Sequence, residues 1–509
     1  MTWWHDAVVY QIYPRSFRDS NGDGVGDLNG VRQQLPYLSW LGVDALWLSP
    51  VYPSPMRDFG YDVSDYVGID PVYGTLEDFD ELVHEAHDLG IRVILDWVPN
   101  HTSIDHPWFV DSSSSRTSAH RDWYVWRDAK PDGALPNNWI RAWSDEPAWT
   151  WDDATAQYYL HCFLPSQPDL DWSNVEVRQA MHQTMRFWLD RGVDGLRMDV
   201  IHLLGKDLAT DDPQDLRALS HVPLNDVPVT HDYVRAIRSV LDGYEGDRVS
   251  VGEVYLIDPD RVAQYYGDGD ELHLSFNFAP LFTPWRADAW AAVIARTMDS
   301  LEPRGAWPTW VLCNHDNARI ATRLHGDVAA VRAALVLLLT LRGTPFLYAG
   351  EELGLEDAVI APERVVDPGG RDGCRAPIPW TASPDHGWSS EPWLPFVERA
   401  AEVSVDAQML DEGSMLHFAR TVLDLRRRTP VLRSGALAGL HVEGEVLVFD
   451  RVGDDGRLRV MINFSADGDV ATPHRRPLLS SRADHRSGVL RAREAIVFEV
   501  PDDRASLTL

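Results

Sequence analysis

Cysteine is almost absent from this chain: three in 509 residues, Cys162, Cys313 and Cys374. So odd and sparse a set excludes a disulfide-stapled scaffold and suits a reducing compartment. Residues 1–6 offer neither a charged nor an apolar leader segment, so no secretory signal is expected and a cytoplasmic location is. Long apolar runs are missing as well. The longest, near residues 333–341, is far too short to span a bilayer. Basic side chains are in short supply, 46 against 78 acidic, for a formal charge of −32. A surface of that sign repels phosphate backbones and anionic lipid heads, which argues against nucleic-acid and membrane partners. Only Lys130 and Lys206 are lysines and the rest of the 46 are Arg, a compositional bias without functional content.

Aromatic rings are plentiful, 21 Trp and 16 Tyr. Most belong in a core, although their flat faces also stack on sugar rings, and a neutral sugar is not repelled by acidic charge. The length exceeds what one core usually holds and predicts two or three domains. Short apolar, β-branched-rich segments recur at 8–13, 45–48, 92–96, 195–199, 249–253, 272–276, 310–313 and 345–348, with helical patterns such as 76–89 and 177–190 between them. That alternation predicts parallel strands buried on both faces, and eight units predict a closed (β/α)8 barrel. About a hundred residues separate Asp96 from Arg197, too many for one crossover. The excess, rich in Trp, Asp, Ser and Pro, reads as a small inserted domain. After about Arg428 the helical period gives way to short alternating runs. The expected organisation is a barrel over 1–100 and 173–428, an insert over 101–172, and an antiparallel β-sandwich over 429–509.

In such a barrel, reactive groups sit at the C-terminal ends of strands. Here those ends carry Asp96 with His101, Arg197 with Asp199, Glu253, and His315 with Asp316. Any one carboxylate alone would be read as a cap or an ion pair. Three converging from strands four, five and seven form a constellation that suits glycoside hydrolysis, which needs two carboxyl groups across the scissile bond. Arg197 lies two residues before Asp199, so both side chains share a strand face, and the guanidinium is expected to keep Asp199 ionised. Glu253 beside a second carboxylate suits the protonated acid.

The segments Asp-Trp-Val-Pro-Asn-His (96–101), Gly-Leu-Arg-Met-Asp-Val-Ile (195–201), Gly-Glu-Val (252–254) and Asn-His-Asp-Asn-Ala-Arg (314–319) resemble the four signature regions of the α-amylase superfamily, glycoside hydrolase family 13. Gln-Pro-Asp-Leu-Asp-Trp (167–172) resembles its further region near the end of the inserted domain. The resemblance covers essentially the whole chain. It implies a retaining mechanism with Asp199 as nucleophile and Glu253 as acid/base. Asp316, His101 and His315 would bind sugar hydroxyls, Asp96 would orient the site from beneath, and Arg197 would hold Asp199.

Two more segments, Arg-Asp-Phe-Gly-Tyr-Asp (57–62) and Gly-Arg-Asp-Gly-Cys-Arg-Ala-Pro (370–377), resemble the α-glucosidase and oligo-1,6-glucosidase branch. There the residue at Asp58 pairs with an arginine, here expected to be Arg375, to grip O4 of the terminal glucose. That makes the site a closed pocket and the action exo on short α-glucosides such as maltose, isomaltose or sucrose. Read alone, Arg57-Asp58 and Arg371-Asp372 would be surface ion pairs. Tyr61 would stack on the glucose and Phe163 would line the pocket. Val200 leans toward α-1,6 or mixed linkages, a small effect of about 1–3 kcal/mol. The stretch 205–231 is expected to shape the leaving-group side. Transglucosylation by the same intermediate is the alternative activity, and a non-catalytic barrel would have lost one of the three carboxylates.

Asp19, Asn21, Asp23, Val25 and Asp27 place oxygen ligands at alternate positions, Val25 through its carbonyl, with Gly24 at the turn. They match nine positions of an EF-hand loop, although Gly30 stands where the loop's twelfth ligand would be Glu. All-oxygen donors select Ca2+ or Mg2+. In the α-glucosidase branch this loop binds structural Ca2+, and the resemblance implies the same here. No other cofactor is expected, and scattered histidines such as His84 and His87 are placed on a solvated helix face. The chain is expected to be a monomer or homodimer.

Overall fold

The computed structural model describes residues 2–209, 211 and 226–501. Eight parallel strands form one sheet: β1 (Val9–Ile12), β2 (Ala45–Leu48), β3 (Arg92–Trp97), β4 (Gly195–Met198), β5 (Val249–Gly252), β6 (Leu274–Ser275), β7 (Thr309–Val311) and β8 (Thr344–Tyr348). Their spatial order is β7-β8-β1-β2-β3-β4-β5-β6. All their residues except Arg92 are buried, as near-continuous apolar sequence requires. β6 is shorter than the sequence pattern suggests, because it ladders only with β5. Side chains stitch the seam to β7 instead: the Thr309 hydroxyl donates to the Ser275 carbonyl at 2.7 Å and accepts the Asn277 N–H at 3.1 Å.

The outer helices include α1 (Leu28–Leu41), α2 (Leu76–Asp88), α3 (Val175–Asp190), α4 (Val229–Leu241), α5 (Ala287–Leu301), α6 (Val328–Thr340) and α7 (Met415–Arg428). α2 shows why they start and face where they do. Thr75 and Asp78 form a reciprocal capping box, and Phe79, Leu82, Val83 and Ala86 make one buried stripe. On α2, His84 is exposed as expected, but His87 reaches the buried Asp194 carboxylate at 2.7 Å. No described helix is long and apolar enough to cross a membrane. The apolar run near 333–341 falls mostly in α6, whose residues 333–340 are all buried where α7 and the C-terminal sheet pack on them.

Between β3 and β4 lie a helix, Pro107–Ser114, and a three-stranded antiparallel sheet with Gln157–Leu160 central between Trp126–Arg127 and Trp149–Asp152. Its Trp139, Trp149 and Phe163 pack with Val200 and Leu203 from the loop after β4, so the insert's core reaches one wall of the barrel mouth. Beyond α7 a five-stranded antiparallel sheet carries a two-stranded ribbon, Val470–Ala471 with Val489–Leu490. Alternation divides its faces: Leu447 and Phe449 join the main core, whereas Val446 and Val448 meet the ribbon residue Leu490.

Two buried arginines clamp this sheet to the barrel with no carboxylate partner among the described residues. Arg426 donates to the carbonyls of Leu339, Leu432 and Gly343, and Arg451 to those of Thr340, Leu432 and Gly435. Both therefore neutralise the carbonyl end of α6. Burial lowers both side chains, Arg426 to about 10. Arg451→Ala leaves three carbonyls without that donor and is expected to destabilise by ~3 kcal/mol or more. The thermal melting midpoint should fall by several degrees; an unchanged midpoint would refute the clamp.

Candidate active site

β3, β4 and β5 are neighbours in strict register, with Asp96 opposite Arg197 and Met198 opposite Gly252. The next pair along is Asp199 and Glu253. Their amides continue the ladder, Asp199 N–H to the Trp97 carbonyl at 2.9 Å and Glu253 N–H to the Met198 carbonyl at 2.8 Å. Adjacent strands lie ~4.8 Å apart, so the two carboxylates start from neighbouring backbones at the barrel mouth. Gly252 before Glu253 is packed so closely that a Cβ there would stand 2.2 Å from Leu272.

One guanidinium organises the cluster. Arg197 Nη1 donates to Asp96 at 2.8 Å and to Asp199 at 2.7 Å, and Nη2 donates to Glu253. Trp47 and Tyr61 flank its plane. Val200 adopts left-handed backbone, φ 35°, a costly conformation for a β-branched residue, and its N–H thereby donates to the Glu253 carboxylate at 3.2 Å. Arg197 meets Asp199 as expected, but burial and two further carboxylates oppose it. Burial pushes the Asp199 carboxyl well above the usual range, and Glu253 and Asp96 add to the push against the opposing Arg197. Asp96, wholly buried, is raised to about 6. One cation facing three carboxylates cannot offset the mutual repulsion of them all.

His315 stands between this cluster and Asp316. The Gln11 amide meets its Nδ1 at 2.7 Å, so Nε2 is assigned the proton, facing the Tyr61 hydroxyl at 2.7 Å and Asp316 at 3.2 Å. Burial lowers His315 to about 3, which keeps the ring neutral. Tyr61 donates onward to Asp96 at 3.1 Å and lies parallel to His315, ring centroids 5.4 Å apart. Burial would raise Asp316, but His315, Arg371 and Arg375 outweigh it and hold the carboxyl well below its ordinary value.

The partner of Asp58 is not Arg375. Arg371 Nη2 meets Asp58 at 2.6 Å, and Arg371 Nη1 meets Asp316 at 2.9 Å. Arg375 lies behind, fully buried, on Asp316 at 2.9 Å and on the His315 carbonyl at 2.8 Å. Of the two Arg-Asp dipeptides, Asp58, Arg371 and Asp372 are buried, whereas Arg57 is exposed and pairs with Asp105 at 3.1 Å. Asp62 holds the Asp58 turn by accepting the N–H groups of Arg57 and Asp58, and burial raises it to about 6. Asp58 and His101 also share Gln167, whose Nε2 lies 2.9 Å from the Asp58 carboxylate and 3.2 Å from the imidazole.

Asp58, Tyr61, His101, Phe163, Asp199, Val200, Glu253, Asp316 and Arg371 thus line one pocket together with Trp143. Sequence reasoning missed Trp143, Gln167 and the role of Arg371. Trp143 lies in the irregular insert, where no period marks it, and its ring covers the Arg371 guanidinium at 4.5 Å. Arg371 and Arg375 are four apart in one motif, and nothing in the residue types says which reaches Asp58. Of the stretch 205–231, residues 210 and 212–225 lie outside the described residues.

The loop after β1 closes on itself. Asp19 accepts the N–H groups of Asn21, Gly22 and Gly24, Asp23 that of Val25, and Asp27 that of Gly30. Gly24 is left-handed, and a Cβ there would stand 2.2 Å from the Glu391 carbonyl. Among the described residues no group of three or more His, Cys, Asp and Glu side chains is arranged to hold a metal ion. The donor set of this loop, carboxylates with an amide and a carbonyl, nevertheless has the chemistry of a hard-cation site.

Residues 11–435 match the family described as alpha amylase, catalytic domain. A probable alpha-glucosidase of Rhizobium meliloti (strain 1021) is 42% identical, over 92% of this chain and 90% of its own. An oligo-1,6-glucosidase of Heyndrickxia coagulans is 37% identical, over 91% and 92%. The crystal structure of an alpha-glucosyl transfer enzyme, XgtA, superposes with a TM-score of 0.91 at 39% identity, covering 98% of this chain and 99% of that one. With that fold, these carboxylates and those relatives, the chain is a glycosidase of the α-amylase family, glycoside hydrolase family 13, in its α-glucosidase and oligo-1,6-glucosidase branch.

Proposed function

We propose that the enzyme is a retaining, exo-acting α-glucosidase that releases one glucose from the non-reducing end of short α-glucosides. The observation that supports this reading is the Asp58–Arg371 pair, which lines the same pocket as Asp199 and Glu253 and would bound it beyond the terminal glucose. A sugar extended at O4 would collide with it, whereas a terminal 4-hydroxyl finds a carboxylate and a guanidinium to bond.

Asp199 attacks C1 as the bond to the leaving oxygen breaks, and Glu253 gives that oxygen its proton. Water then attacks C1 and returns a proton to Glu253, releasing Asp199. Retention needs carboxyl groups ~5–5.5 Å apart, and inversion ~6.5–9.5 Å. Adjacent strands in register and a shared guanidinium support the shorter spacing. Asp316, kept ionised by its arginines, accepts sugar hydroxyls, with His101 and His315 beside it. Val200 inclines the preference toward α-1,6 or mixed linkages. Three free, buried cysteines suit a reducing compartment.

Incubation with maltose, isomaltose and sucrose, with products separated over time, tests this reading. Glucose is expected as the first product, with starch a poor substrate. Early release of mixed malto-oligosaccharides would overturn the exo pocket. Dominance of new di- and trisaccharides would instead favour glucosyl transfer, the reading suggested by the likeness to XgtA.

We also propose that Asp19, Asn21, Asp23, Val25 and Asp27 hold a structural Ca2+, Mg2+ being the weaker candidate. Binding to the folded state alone stabilises by about 2.7 kcal/mol at a hundredfold excess over Kd. The melting midpoint should therefore fall with EGTA and recover with Ca2+ in the wild type. Asp19→Ala should melt lower and no longer respond. An identical midpoint with and without chelator would rule the site out.

A further inference from the structure

Asp367 does not itself line the pocket, yet it takes the larger part of Arg371. Its Oδ2 accepts Arg371 Nε at 2.9 Å and the Arg371 backbone N–H at 2.7 Å, and its Oδ1 accepts Nη2 at 2.6 Å. The Asp367 side chain is fully buried. Asp372 sets the turn that presents it, accepting the N–H groups of Val366 at 2.8 Å and Asp367 at 3.2 Å. A guanidinium has five N–H donors. Asp367 takes Nε–H and one hydrogen of Nη2, Asp58 takes the other, and Asp316 takes one hydrogen of Nη1. Among the described residues that leaves one Nη1 hydrogen on a side chain that lines the pocket. Asp367 fixes the edge of the fork while Trp143 covers its face. Without Asp367 the guanidinium could turn about its stem, and neither Asp58 nor the last hydrogen would keep its direction.

We propose that Asp367 is a positioning residue that sets the recognition of the terminal sugar by orienting Arg371. The inference rests on the exo-pocket reading above and deepens it. Asp58 and Arg371 form the clamp, and Asp367 makes the clamp rigid before substrate arrives. A preorganised bidentate fork gains specificity as well as affinity, because less motion is frozen on binding.

The test is a double-mutant cycle on maltose and isomaltose with Asp367→Asn, Arg371→Ala and the double variant, and Asp367→Glu as the conservative control. Asp367→Asn is expected to raise KM by about 10–100-fold with kcat changed only a few-fold, because the amide keeps the shape but loses one acceptor and the charge. Asp367→Glu should recover part of the loss. In the Arg371→Ala background, adding Asp367→Asn should cost less than about threefold more, since the group it orients is gone. Wild-type KM in Asp367→Asn beside a steep loss in Arg371→Ala overturns the proposal and leaves the pocket reading standing. Losses that multiply in the double variant also overturn it, showing that Asp367 acts by another route. Should Arg371→Ala itself keep wild-type KM, the pocket reading falls, and this proposal with it.

Discussion

Asp199→Asn is expected to lower kcat on maltose and isomaltose by at least ~10⁴-fold, as loss of an enzyme nucleophile does, while the protein melts no earlier than the wild type. The second half follows from the same electrostatics. Burial first, then Glu253 and Asp96, raise the Asp199 carboxyl above its unfolded value of ~3.9. A carboxyl raised on folding contributes stability below its unfolded value and loses it as pH rises through the folded one. Ionising Asp199 at neutral pH therefore costs stability, and an amide at 199 removes that cost, while Arg197 keeps Asp96 and Glu253. A dead variant that also melts several degrees lower would contradict the account, because inactivity would then reflect a damaged barrel. Glu253→Gln should lose about 10²–10⁴-fold on poor leaving groups and far less on activated aryl glucosides, whose oxygen needs little protonation. On such an aryl substrate the pH profile adds a sign test. Attack needs Asp199 ionised, so activity falls as pH drops through its raised value. With Gln at 253 one like charge is gone, and that acid limb should move to lower pH.

Asp58→Ala is the second large effect. The substitution removes the acceptor of one hydrogen bond from the buried Arg371 and, on the proposed exo reading, one grip on the terminal hydroxyl. Truncating one partner of a buried, hydrogen-bonded charge pair costs ~2–5 kcal/mol, so kcat/KM for maltose and isomaltose should fall by roughly 10²–10³-fold. Arg371 keeps Asp316 and Asp367, so the fold should hold. Because the wall is breached, the ratio of activity on O4-extended chains to that on maltose should rise. Equal losses on both kinds of substrate would mean that Asp58 supports the site without bounding it.

The barrel and its carboxylates were legible in the sequence because the physics there is local. Parallel strands buried on both faces read as short apolar runs, and their C-terminal ends fall at fixed places, which puts Asp96, Asp199, Glu253 and Asp316 at one rim whatever the loops do. What was not legible depends on contacts between distant loops. Arg371 and Arg375 share one motif, yet the turn held by Asp372 sends the first to Asp58 and the second beneath Asp316. The crowding of carboxylates around Arg197 was hidden for the same reason. Sequence shows the arginine two residues away, but not that the same guanidinium must also serve Asp96 and Glu253. Trp143 and Asp367 carry no periodic signal, one from an irregular insert and one from a loop outside the barrel strands.

Retention would require the carboxyl groups of Asp199 and Glu253 to stand ~5–5.5 Å apart across one anomeric carbon. The most direct measurement is the anomer of the first glucose released, followed by proton NMR from a short α-glucoside before mutarotation. α-Glucose should appear first and drift to the equilibrium mixture. If β-glucose appears first, water has attacked C1 directly and the covalent role of Asp199 is wrong.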